Sequence, residues 1–92
     1  MLYLLRGSAN EAIIVVKWDV VVSDTVNGEA NYRSVYRYEM DVPSGLSRRA
    51  LVRRIKAIAG YSGIRGATWY DGDAVEIKFP AQEEVIIALA RT

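Results

Sequence analysis

AIIVVKWDVVVSDTVNGEANYRSVYRYEMDV, residues 12–42, decides the fold of this chain. Val, Ile and Tyr crowd it, and its apolar positions recur every second residue, the signature of extended backbone with a half-buried face. Ala12, Ile14, Val16, Trp18, Val20 and Val22 fall on one side of a strand over 12–23; Lys17, Asp19 and Ser23 fall on the other, together with Ile13, Val15 and Val21. Asn27-Gly28 marks a hairpin turn. Beyond it a second strand over 31–42 sets Tyr32, Tyr36, Tyr38, Met40 and Val42 on one face and Arg33, Arg37, Glu39 and Asp41 on the other.

The register follows from matching faces. A two-residue turn would put Trp18 opposite Arg37. A three-residue loop, Asn27-Gly28-Glu29, puts Trp18 opposite Tyr38, Val20 opposite Tyr36, Asp19 opposite Arg37 and Lys17 opposite Glu39. Each such pair contributes about 0.2–1 kcal/mol, so the longer loop with a glycine bulge is expected. The face holding the three tyrosines is expected to be the core.

Downstream, Pro43-Ser44-Gly45 ends the strand and a helix is expected over 46–59, capped by Ser44 or Ser47 and stopped by Gly60. Leu51, Val52, Ile55, Ile58 and Ala59 form its apolar stripe. Leu46, Ala50 and Ala57 fall on the side away from that stripe. A second hairpin, 67–70 and 74–79, turns at Asp71-Gly72-Asp73, with Trp69 opposite Val75 and turned inward, and Tyr70 outward. Over 82–91 two patterns compete. Pro80 followed by Glu83 and Glu84 resembles a helix start, whereas Val85-Ile86-Ile87 is β-rich; the start pattern favours a short C-terminal helix. Met1–Leu5 reads as a short strand, too short for a leader and followed, not preceded, by Arg6. The fold class is therefore α+β, one domain over 1–92: a small antiparallel sheet of two hairpins in the order β-ββ-α-ββ, with one amphipathic basic helix on one face.

Composition narrows the chemistry. With 92 residues the chain buries somewhat over ~60% of its unfolded surface, enough for one core. The apolar fraction is 51% and six residues are Tyr, which excludes a disordered chain. Cysteine and histidine are both absent. That removes thiol and imidazole nucleophiles, His-based triads and the usual zinc ligands, and it suits a reducing, cytoplasmic location. No constellation of Asp, Glu, Lys, Tyr or Ser suggests catalysis, and Asp71-Gly72-Asp73 is accounted for by a turn, so no enzyme activity, cofactor or metal is expected. The longest apolar run, Ala12–Val16, is far below the ~18 residues of a membrane span, and no membrane partner is expected.

Charge carries the functional signal. The whole chain nets +1, from twelve basic and eleven acidic residues. Between Val42 and Tyr70 lie Arg48, Arg49, Arg53, Arg54, Lys56 and Arg65 with no acid, a net +6; the remaining six basic and eleven acidic residues net −5. Arg49, Arg53 and Lys56 share one helical row. Like charges at i,i+4 cost a few tenths of a kcal/mol, and Arg48 and Arg49 oppose the helix dipole by roughly 0.3–1 kcal/mol each. Such a helix suits a partner rich in phosphate or carboxylate. Arginine's planar fork matches both.

The expected binding set is Arg48, Arg49, Arg53, Arg54, Lys56 and Arg65, with Tyr61 and Tyr70 as exposed aromatics beside them. DNA or RNA, gripped through phosphates without sequence preference, is the favoured partner. The alternatives are an acidic protein surface, approached by an inhibitor or adaptor that adds Leu46, Ala50 and Ala57 to the arginines, and internal pairing with the chain's own carboxylates. Strands apolar on both faces also point to a homo-oligomer.

Overall fold

The computed structural model describes residues 14–91; the strand expected over Met1–Leu5 lies outside them. The elements are β1 (Val15–Val26), β2 (Glu29–Pro43), α1 (Arg48–Ala59), β3 (Ala67–Asp71), β4 (Ala74–Phe79), a 3-10 turn (Pro80–Gln82) and β5 (Glu84–Ala90). They form an α+β fold in which one antiparallel sheet, ordered β2-β1-β5-β4-β3, carries the single described helix on one face.

The C-terminal segment is a strand, not the expected helix. Pro80 starts only one 3-10 turn, and Glu83 then takes a left-handed conformation (φ 54°) that reverses the chain. β5 thereby fills the gap between β1 and β4 and pairs on both edges. Val85, Ile86 and Ala88 are buried there. A β-branched run with two partner strands outweighs a local helix-start pattern, because pairing on both edges satisfies its backbone groups while Val85, Ile86 and Ala88 are buried.

The β1–β2 register also differs from the expected one. Trp18 pairs with Met40, Val20 with Tyr38 and Val22 with Tyr36, two residues along from the face-matching alignment. Near the turn the hairpin is closed by the two-residue Asn27-Gly28 turn, with Val26 opposite Glu29. Three extra β2 residues between Ala30 and Val35 absorb the difference, so both the tight turn and the matched faces are kept. Tyr32 within this bulge adopts φ 56°, a left-handed conformation that a tyrosine rarely takes. Two side chains satisfy the amides it releases. Ser23 Oγ, fully buried, accepts from the Tyr32 amide at 2.8 Å, and the Asp24 carboxylate accepts from the amides of Arg33 and Ser34, each at 2.9 Å, and from Asn31 Nδ2.

The Ser34 amide, then the Asn31 side chain and the Arg33 amide, hold the Asp24 pKa below its ordinary value of 3.8. A carboxylate with a lowered folded pKa contributes stability that is whole above its unfolded pKa and is lost as pH falls through the folded value. Asp24→Asn is therefore expected to lower the thermal midpoint at pH 7, with the gap to the native chain closing as pH falls below the ordinary carboxylate value of 3.8; a gap that stays the same size on acidification contradicts this role.

The core lies between α1 and the sheet. Ile55 is fully buried against Trp18, Val20, Val22 and Val42 of the first hairpin, and Val75, Ile77, Phe79, Ile86 and Ala88 continue the layer. A 12-residue helix is about 18 Å long, whereas 15 extended residues reach about 50 Å. The hairpin thus outruns its cover, and the described residues extend over 50 × 22 × 21 Å. This corrects the expected tyrosine core. Tyr38 packs beneath the helix, but Tyr36 and Tyr32 are 60% and 57% exposed on the uncovered arm. In the second hairpin a two-residue turn sets Tyr70 opposite Val75 and Trp69 opposite Glu76. Trp69 therefore points to the far face of the sheet, half-exposed, and not into the core.

Candidate nucleic-acid interface

Local chemistry fixes the ends of α1. Ser47 is the N-cap; its Oγ accepts from the Ala50 amide at 3.1 Å. Leu46, expected on the outer surface, instead packs against the core beside Leu51, the pairing of a hydrophobic staple at the residue before the cap and the fourth of the helix. Gly60 closes the other end at φ 81°, donating to the Ala57 carbonyl while the Tyr61 amide donates to Lys56, the paired bonds of a Schellman motif. A side chain at Gly60 would force an L-residue into the left-handed region at a cost of about 1–2 kcal/mol.

These ends place the basic side chains. Arg49, Val52, Arg53 and Lys56 line a cleft of about 260 Å³ whose other wall is Ser62 and Gly63, in the turn after the helix. Tyr61 holds that turn down. It is buried, 4.4 Å from Phe79 between ring centroids, and the Ile64 amide donates to its carbonyl. Tyr61 is thus an anchor of the site and not the exposed aromatic expected there. Alternation says nothing about a loop residue, and only the packed structure shows that its ring fills the space over Phe79. Gly66 belongs to the same packing: a Cβ there would meet Phe79 Cε1 at 2.7 Å.

Arg48 starts the helix with its guanidinium 4.7 Å from the Tyr70 ring centroid, a cation–π contact that ties the helix to edge strand β3. Tyr70 is 37% exposed beneath it. Lys56, partly buried, stands 6.0 Å from the Phe79 ring centroid. Both contacts direct this flank of α1 toward β3 and β4. Arg53 and Arg54 are exposed, with Arg54 on the opposite flank from the Arg49–Lys56 row, and Arg65 is exposed in the loop leading to β3. The structure therefore brings together Arg49, Arg53 and Lys56 in one cleft, and separately sets Arg48 over Tyr70 at the start of the helix. Arg54 and Arg65 remain outside the cleft, and Ser62 is a lining residue that sequence periodicity had no means to mark.

The ion pairs lie elsewhere. Lys17 meets Glu39 at 3.7 Å and Asp41 at 3.2 Å, Arg91 bridges Asp19 and Glu39, and Lys78 reaches Glu29 at 3.7 Å. Among the described residues, none of Arg48, Arg49, Arg53, Arg54, Lys56 and Arg65 pairs with a carboxylate. Asp19, Glu39 and Asp41 follow the far face of the first hairpin, where Lys17 and Arg91 pair with them, while these six cations stay with the helix and the loop after it. No family model, curated protein or solved structure matches this chain. Among the described residues no group of Asp and Glu is placed to hold a metal ion, and no helix is long and apolar enough to cross a membrane.

Proposed function

We propose that this protein binds nucleic acid through the basic flank of α1, contacting phosphates with little regard for sequence. One observation supports this above the others: six cations without a carboxylate partner among the described residues, three of them lining one cleft. The row from Arg49 to Lys56 extends about 10 Å along the helix axis, close to the axial rise of three nucleotides in one strand of a duplex. Ser62 and the backbone at Gly63 add uncharged donors on the opposite wall. Tyr70 beside Arg48, and Tyr36 on the hairpin arm, supply ring faces on which unpaired bases can stack. Nothing in the cleft offers the Asn or Gln side chains that read base edges.

An acidic protein surface fits the same charges less well. With Leu46 drawn into the core, only Ala50 and Ala57 remain of the apolar strip such an interface would use. Fluorescence anisotropy with labelled duplex and single-stranded oligonucleotides of unrelated sequence, competed by polyglutamate, tests the choice. The expected result is similar affinity for all sequences, steep weakening between about 50 and 200 mM salt, and poor competition by polyglutamate. No binding at the lower salt, or tighter binding of polyglutamate, overturns the proposal.

A further inference from the structure

From the sheet face opposite α1 we infer that the protein forms a two-fold dimer through this face, with Arg37 of each copy paired to Glu76 of the other. The outer face of an antiparallel sheet normally alternates to polar residues. Here β1 and β5 set Val21, Ile87 and Leu89 on it, Leu89 being 51% exposed. These residues border a depression of about 460 Å³ that also takes in Asp19, Arg37 and Glu39.

The cross-strand register makes one row of this face self-complementary. One row runs Arg37, Val21, Ile87, Glu76 across β2, β1, β5 and β4. Strands stand about 4.8 Å apart, so Arg37 and Glu76 each lie about 7 Å from the line midway between β1 and β5, on opposite sides of it. A two-fold axis along that line, in the plane between two stacked faces, carries Arg37 onto Glu76, Val21 onto Ile87, and the reverse. That is the residue-to-residue reciprocity an isologous interface demands. The same operation carries Leu89 onto Asp19, so each protruding Leu89 meets the depression of the other copy. Neither Arg37 nor Glu76 has an ion-pair partner among the described residues, although Lys17, Lys78 and Arg91 on the same face all do. In the dimer the two charges flank an apolar centre and pair twice.

Sedimentation equilibrium without nucleic acid tests this independently of the basic helix. The native chain is expected to be a dimer. Arg37→Glu alone and Glu76→Arg alone each set like charges face to face twice, and each is expected to weaken dimerisation by about a hundredfold or more, taking at least a factor of ten per pair. The double variant R37E/E76R restores both pairs and is expected to return to within about tenfold of the native chain. Both positions are on the sheet surface, and unchanged far-UV circular dichroism and thermal midpoint at low concentration establish that the variants fold. A native chain that stays monomeric at high concentration, as when another part of the chain covers this face, overturns the inference. A double variant as weak as the singles also overturns it.

Discussion

Replacing Arg49, Arg53 and Lys56 together by glutamine is expected to lower nucleic-acid affinity by at least a hundredfold at low salt while leaving the protein as stable as before, or slightly more so. The two halves of this result have separate causes. Hydrogen bonds to charged groups contribute about 1.5–3 kcal/mol each, so losing two of three phosphate contacts already exceeds the ~2.8 kcal/mol that corresponds to a hundredfold change. Within the folded protein the same side chains repel one another along one helical row, and Arg49 stands in a first turn that holds no acid. Removing them relieves a few tenths of a kcal/mol of repulsion and breaks no described ion pair; the long Lys56–Phe79 contact that is lost, 6.0 Å from the ring centroid, offsets this by about 0.5 kcal/mol at most. Anisotropy titration and urea denaturation measure the two effects. Affinity that falls together with stability would mean that the residues hold the fold and bind only indirectly.

Phe79→Ala is expected to show the largest loss of stability, about 3–5 kcal/mol, a large share of the 5–15 kcal/mol typical of a domain. Phe79 is fully buried at the end of β4, stacks on Tyr61 and fills the space that forbids a side chain at Gly66. It is also the floor beneath the turn that carries Ser62 and Gly63. Truncating the ring removes apolar contact and leaves a cavity between helix, loop and sheet, so the cleft is expected to loosen along with the fold. The milder Phe79→Leu, with most of the volume kept, is expected to fold and to bind nucleic acid more weakly than the native chain. A loss below about 1 kcal/mol for Phe79→Ala would contradict the role assigned to this ring.

What was legible in the sequence was what periodicity encodes. A helix ending at Gly60, with Ser47 as one of two candidate caps and apolar positions around Ile55, follows from 3.6-residue spacing and capping chemistry; the observed helix starts at Arg48, two residues after the expected 46, and Ser47, not Ser44, is its cap. The shared faces of the paired part of the first hairpin were legible as well, since a shift of two residues preserves them, whereas in β3 the two-residue turn sets Trp69 and Tyr70 on the opposite faces from those expected. Quantities set by distant partners were not. The bulge at Asn31–Ser34 depends on acceptors from Ser23 and Asp24 on the neighbouring strand. The strand at Glu84–Ala90 depends on a slot between β1 and β4 that exists only once both are in place. The exposure of Tyr32 and Tyr36 depends on how far a 12-residue helix reaches along a longer hairpin. The site divides the same way. Its charges could be read from residue types, but the change of Tyr61 from surface aromatic to anchor required the packing of the loop on Phe79.

The salt dependence of binding tests the phosphate-contact role of α1 most directly. Plotted as log affinity against log salt for a duplex, the native chain is expected to give a steep negative slope. The Arg49, Arg53 and Lys56 glutamine variant is expected to give a slope shallower by about 2.7, at ~0.9 per phosphate contact removed. Identical slopes for the two proteins would contradict the account, because they would place the phosphates somewhere other than on this helix.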